Sequence, residues 1–240
     1  MQKTLSYKNI SVNYSIDGKG KAIVLLHGFL ESSTMWQETI EVLIEKHQVV
    51  TIDLLGHGKT DKLGYIHTMQ ENAQLVEAVL EAENINSTSF IGHSMGGYVA
   101  LAFAELFPNK TDQLVLLNST SAEDSQERKD NRDRAIRLLK QNKTAFISMA
   151  INNLFAEENR EGLIGEINQL IKEAQQMPIE NIVATIEGMK NRKDRTDVLA
   201  NFKNRKFIVA GEKDEVIPLE NIQKIAVKTN TPIQILEGGH

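Results

Sequence analysis

Apolar positions along the chain follow two different rhythms. Over residues 10–16 they alternate, with Val12, Tyr14 and Ile16 on one face. A period of two predicts a half-exposed antiparallel strand. Farther on, short continuous apolar runs take over at 22–26, 49–52, 89–91, 114–117, 207–210 and 233–236. Runs of that length bounded by Gly, Asn or Asp predict strands buried on both faces. Between them, the stretches near 35–46, 69–83, 95–107 and 218–228 carry helical spacing. Strands alternating with helices predict right-handed crossovers and a mainly parallel sheet, so the expected fold class is α/β.

The alternation stops between Ser119 and Asn201. Ile136, Leu138, Leu139, Phe146, Ile147, Ile151, Leu154 and Phe155 recur there at helical spacing, with no strand run among them. The expected organisation is a core part over 1–118, an all-helical cap over 119–201 and a second core part over 202–240. Such an insertion sits over the carboxyl ends of the strands, where open α/β sheets bind ligands.

Composition narrows the partners. The chain has 27 Lys and Arg against 32 Asp and Glu, dispersed along its length, so nucleic acid is not an expected partner. It has no cysteine, which excludes disulfides, thiolate metal sites and a cysteine nucleophile. No apolar run approaches the ~18 residues of a membrane span. The start Met1-Gln2-Lys3-Thr4-Leu5-Ser6 lacks the apolar core of a signal peptide, so a cytoplasmic location is expected.

The strongest chemical signal is Gly92-His93-Ser94-Met95-Gly96, a G-x-S-x-G between an apolar run and a helical stretch. A serine on a sharp strand-to-helix turn projects its hydroxyl above the sheet. Side chains two residues to either side would collide at such a corner, which explains Gly92 and Gly96. A serine hydroxyl needs a base. Of the six histidines only His240 follows Ser94, and in this architecture the acid and the histidine come after the serine. The acid is expected at Asp214, at the end of the run 207–210 and ahead of Pro218. Asp112, Asp124, Asp130, Asp133, Asp194 and Asp197 stand in helical or surface-like contexts, and Glu212 and Glu215 are expected to face solvent. The backbone N–H groups of Phe29 and Met95 are the candidate oxyanion donors. His27 is expected to hold its loop, and Asp53 with Gly56-His57-Gly58 to form a turn of fixed shape.

These motifs together resemble the α/β-hydrolase superfamily along the whole chain. The carrying residues are Leu26-His27-Gly28-Phe29, the run 53–60, Gly92-His93-Ser94-Met95-Gly96-Gly97, Gly211-Glu212-Lys213-Asp214 with Pro218, and Gly238-Gly239-His240. The resemblance implies an eight-stranded sheet with a helical cap after the sixth strand. It implies Ser94 as nucleophile, Asp214 as orienting acid and His240 as general base. The activity expected is hydrolysis of a carboxylic ester of a small or medium acyl compound, with no cofactor and no metal. A serine at the nucleophile position argues against likeness to haloalkane dehalogenases and epoxide hydrolases, which carry Asp there. Thr60 stands where many members have Ser, at no cost to the mechanism.

Two alternatives share the triad. The stretch 54–61 and the arginines Arg128, Arg132, Arg134 and Arg137 are similar to the menaquinone-pathway lyase, SHCHC synthase, that eliminates pyruvate from a polycarboxylate. A C–C hydrolase belongs to the same alternative. Read without that likeness, the four arginines form a solvated helix face paired with Glu127, Asp130 and Asp133. The other alternative is a ligand receptor of slow turnover. Family members usually continue past the histidine into a last helix, whereas this sequence stops at His240. If the chain truly ends there, a mobile imidazole is expected, its pKa raised by a neighbouring terminal carboxylate.

Overall fold

The computed structural model describes residues 1–240. Eight strands form one sheet: β1 (Gln2–Tyr7), β2 (Ile10–Gly18), β3 (Lys21–Leu26), β4 (His47–Ile52), β5 (Thr88–His93), β6 (Thr111–Leu117), β7 (Arg205–Gly211) and β8 (Ile233–Leu236). Their spatial order is β1-β2-β4-β3-β5-β6-β7-β8. β1 pairs antiparallel with β2, and β2 antiparallel with β4. Every other pairing is parallel. The chain therefore folds as an α/β protein on a mainly parallel sheet. The order reverses around β3, leaving a crevice at the carboxyl ends of β3 and β5, the place where such sheets bind ligands.

The helices follow the predicted stretches closely. They are α1 (Gln37–Leu43), α2 (Met69–Ala82), α3 (Met95–Leu106) and α9 (Leu219–Thr229). α1 is shorter than its apolar spacing suggests because Ser33–Trp36 forms a 3-10 turn first. α2 starts cleanly because Thr68 and Glu71 form a capping box. α3 is apolar all round and buried from Met95 to Ala104, as a helix wedged against the sheet must be. Its Phe103 ring lies 4.7 Å from Phe90 of β5. Burying each such ring stabilises the fold by about 1.5–3 kcal/mol.

The long connection between β6 and β7 is helical: α4 (Gln126–Gln141), α5 (Lys143–Asn152), α6 (Ile164–Ala174), α7 (Ile179–Lys190) and α8 (Thr196–Asn201). Ile136, Leu139, Phe146, Ile147, Ile151 and Ile167 from this segment join the main hydrophobic core. β1 was not among the predicted strands. It lies at the edge of the sheet with only alternate residues half-covered, so its apolar signal is weak. No helix is long and apolar enough to cross a membrane.

Candidate active site

Ser94 stands between β5 and α3 with φ 48° and ψ −112°. A side chain in that left-handed region is strained and persists only where its surroundings fix it. Here its N–H donates to the Leu117 carbonyl at 2.9 Å, and its own carbonyl accepts from Gly97 N–H and from the Ser119 hydroxyl. The crowding anticipated at the corner is present. A Cβ at Gly92 would lie 2.5 Å from the Gly96 backbone, and one at Gly96 would lie 2.2 Å from the Leu26 carbonyl.

The structure brings Ser94, His240 and Asp214 together from chain positions up to 146 residues apart. His240 Nε2 lies 2.7 Å from Ser94 Oγ. His240 Nδ1 lies 2.7 Å from Asp214 Oδ2. Asp214 Oδ1 in turn accepts from Val216 N–H at 2.8 Å and Ile217 N–H at 2.7 Å. One carboxylate oxygen is thus pinned to the backbone while the other orients the imidazole. In this order of contacts an imidazole can draw the proton from a hydroxyl while the carboxylate stabilises the resulting imidazolium.

His240 is packed rather than free at its end, and its pKa is shifted down rather than up. Its side chain is 1% exposed. Its N–H donates to the Leu154 carbonyl at 2.7 Å, so the helical segment itself holds the loop. Close backbone packing at Gly239 against 154–156 leaves no room for a Cβ there. Burial disfavours the charged ring and, against its hydrogen bond to Asp214, keeps its pKa below the ordinary histidine value.

Around the serine, the other motif residues do supporting jobs. His27 Nε2 accepts from Leu54 N–H at 2.9 Å and its Nδ1–H donates to the Gly28 carbonyl, which ties the loop after β3 to the loop after β4. Asp53 accepts from the N–H groups of Ser33 and Lys59 and from the Asn13 amide. Gly58 has φ 52° and packs so tightly on that carboxylate that a Cβ would meet Oδ2 at 2.2 Å. Burial drives the His57 pKa down to about 3, so this ring stays neutral. Phe29 lines the same small cavity as Ser94 and His240, and its N–H has no acceptor in the protein. Met95 begins α3 directly after the serine. Glu212 and Glu215 are exposed, as anticipated.

Four residues sit differently from what the sequence pattern suggests: Asp124, Arg128, Arg132 and Arg192. Asp124 is not a surface group: its side chain is fully buried and bridges Arg128, Arg132 and Arg192. Arg128 and Arg132 accordingly turn inward and line the cavity beside Ser94, while Arg134 stays outside on Asn131. The solvated-face reading fails for this pair because the buried Asp124, two residues before α4 and four before Arg128, draws both guanidinium groups inward. Arg192, which sequence spacing does not flag, stacks on the Tyr98 ring at 4.1 Å. Nowhere do three or more His, Asp or Glu side chains gather as a metal site.

The cavity holding Ser94 measures only about 50 Å³. A larger one of about 340 Å³ lies across the seam between the loop 30–34, the loop 53–60 and residues 173–181, without Ser94 in its wall. The smaller is the chemically relevant one, because the hydroxyl, imidazole and arginines converge there. A pocket for an organic ligand usually needs some 300 Å³ or more, several times this volume.

Comparison with known proteins places the chain's fold. Residues 21–240 match the family model described as the alpha/beta hydrolase fold. An uncharacterized protein of Mycobacterium tuberculosis is 36% identical over 106 residues, 44% of this chain and 31% of its own length. This chain therefore matches less than a third of that relative. The putative carbamate hydrolase RutD of Yersinia enterocolitica is 26% identical over 227 residues, 92% of this chain and 81% of its own. A thermophilic esterase from Thermogutta terrifontis superposes with a TM-score of 0.91 at 25% identity, over 100% of this chain and 91% of the esterase.

Proposed function

This chain belongs to the α/β-hydrolase family, and we propose that within it the protein is a serine hydrolase acting on a small or medium carboxylic ester through an acyl-enzyme. The observation that carries the reading is the unbroken line Ser94 Oγ, His240, Asp214, with both contacts at 2.7 Å. Ser94 attacks the ester carbonyl as His240 Nε2 takes its proton. The backbone N–H groups of Phe29 and Met95 stabilise the oxyanion. The alcohol leaves with the proton returned by His240, and water deacylates the enzyme by the same route. The helical segment 119–201 serves as a cap that opens to admit substrate.

One feature of the pocket favours a narrower substrate. Three guanidinium groups meet a single carboxylate at Asp124. Two of them, Arg128 and Arg132, line the wall beside Ser94, and planar guanidinium groups suit carboxylates. A substrate carrying its own carboxylate fits this wall, whether it is an ester or the polycarboxylate of an SHCHC synthase-like lyase. The test is a panel of p-nitrophenyl esters of graded chain length, run beside esters of dicarboxylic acids and the lyase substrate. Rapid turnover of neutral or carboxylated esters supports the hydrolase. Activity confined to the lyase substrate supports the lyase, and no turnover of any supports a receptor.

Arg132→Ala is expected to raise KM about tenfold or more for the carboxylated esters, the value of one charge-assisted hydrogen bond. Neutral esters should change by less than threefold. Equal effects on both ester classes would show that Arg132 only braces Asp124.

A further inference from the structure

Glu31 and His93 form a buried hydrogen-bonded pair that the proposed mechanism does not use. Glu31 is 6% exposed and His93 4%. Glu31 Oε2 accepts from His93 Nδ1–H at 2.9 Å and from Gly28 N–H at 2.6 Å. Gly28 directly precedes Phe29, the oxyanion donor on the loop after β3. His93 directly precedes Ser94, at the end of β5. A Cβ at Gly28 would lie 2.6 Å from Glu31 Oε2 and 2.8 Å from His93 Nδ1, so the backbone presses on the pair itself. On its other side, the His93 ring lies 5.1 Å from the His240 ring, centroid to centroid. Leu30, between Phe29 and Glu31, has φ 64°, a strained value that lets the loop fold its carboxylate back under Gly28.

We propose that Glu31 and His93 are a positioning pair that fastens the oxyanion loop to the serine corner and sets an imidazolium beside His240, keeping His240 in its proton-accepting form. The inference rests on the hydrolase reading above. A buried carboxylate and a buried imidazolium each lose hydration, so they persist only as a pair with further hydrogen bonds. Gly28 N–H supplies one such bond. Burial alone would push the Glu31 carboxyl up, but the charge and hydrogen bond of His93 hold it below its ordinary value. Burial alone would push His93 down, but Glu31 holds it above the ordinary histidine value.

The charges facing this pair are few. Glu31, Asp214, His240 and His27 surround His93. Asp214, His93 and Glu31 face His240, with Arg128 and Arg132 across the same cavity. The His93 ring lies 5.1 Å from the His240 ring, so a charge on His93 opposes protonation of His240, while Glu31 favours it. Removing the pair's charge should therefore make His240 easier to protonate.

The experiment is kcat/KM against pH for the parent, Glu31→Gln and His93→Asn. Both amides keep a hydrogen bond across the contact; Glu31→Gln removes the carboxylate charge and with it the support for a charged His93, whereas His93→Asn removes the imidazole's charge alone. The acid limb, which reports protonation of His240, should move up by about one pKa unit, and more in His93→Asn, which leaves Glu31 uncompensated. An unmoved limb in both variants overturns the proposal. Ring-nitrogen NMR of the parent supplies a readout independent of activity and of variant folding. The His93 ring should carry protons on both nitrogens at pH 7 while His240 carries one. A neutral His93 at pH 7 overturns the proposal as well. Labelling of the parent at Ser94 by a fluorophosphonate separates failure of the pair from failure of the hydrolase reading, since only the latter abolishes labelling.

Discussion

Ser94→Ala is expected to lower kcat/KM toward p-nitrophenyl esters on the order of 10⁴–10⁶-fold, because the members of such a site act as a unit. The substitution deletes one oxygen that the fold does not need. The backbone contacts that hold the corner, from Ser94 N–H to Leu117 and from Gly97 and Ser119 to the Ser94 carbonyl, are untouched. The melting temperature should therefore stay within a few degrees of the parent. Steady-state assay beside a melting curve checks both halves. Activity within tenfold of the parent, in a folded protein, would remove Ser94 from the mechanism.

Asp214→Asn should cost nearly as much, about 10⁴-fold. The reason lies in the second oxygen. Oδ1 accepts two backbone N–H groups, from Val216 and Ile217. An asparagine must keep its carbonyl oxygen on those donors and so turns its amide hydrogens toward His240. His240 Nδ1 then becomes the acceptor, and the ring proton moves to Nε2, aimed at Ser94. A ring in that tautomer cannot accept the hydroxyl proton. Loss of the neighbouring carboxylate also makes the imidazole harder to protonate, so the acid limb of any residual activity should move to lower pH. The pH profile of Asp214→Asn tests this sign. It is opposite to the shift expected for Glu31→Gln and His93→Asn, and the opposition separates an orienting carboxylate from a charge-setting pair. Retention of activity within tenfold would mean that Asp214 merely caps its turn.

How much of this could be read from the sequence depends on how local each contact is. The serine corner was legible because its requirements fall within five residues: small neighbours at Gly92 and Gly96, a strand before and a helix after. Asp214 and His240 were legible because each follows a buried strand run, at the end of the sheet where side chains converge. The helical segment was visible as a change of period. Contacts between residues far apart along the chain leave no such local signature. Glu31 and His93 are 62 residues apart, and neither stands in a pattern that implies the other. Asp124 was lost among charged neighbours because a run such as 123–134 looks solvated until tertiary packing turns one side of it inward. Only then does a single buried carboxylate collect Arg128, Arg132 and the remote Arg192. β1 was missed for the opposite reason: an edge strand with one half-covered face leaves little periodic signal.

The central claim is a covalent acyl-enzyme on Ser94, and it can be caught directly. The parent is mixed with excess p-nitrophenyl ester, quenched in acid within the first turnovers and analysed by intact-mass and peptide mass spectrometry. The account predicts a mass gain of one acyl group, located on the peptide containing Ser94, absent in Ser94→Ala and greatly slowed in Asp214→Asn. Release of p-nitrophenol during active turnover with no covalent adduct, or with the acyl group on another residue, would contradict it.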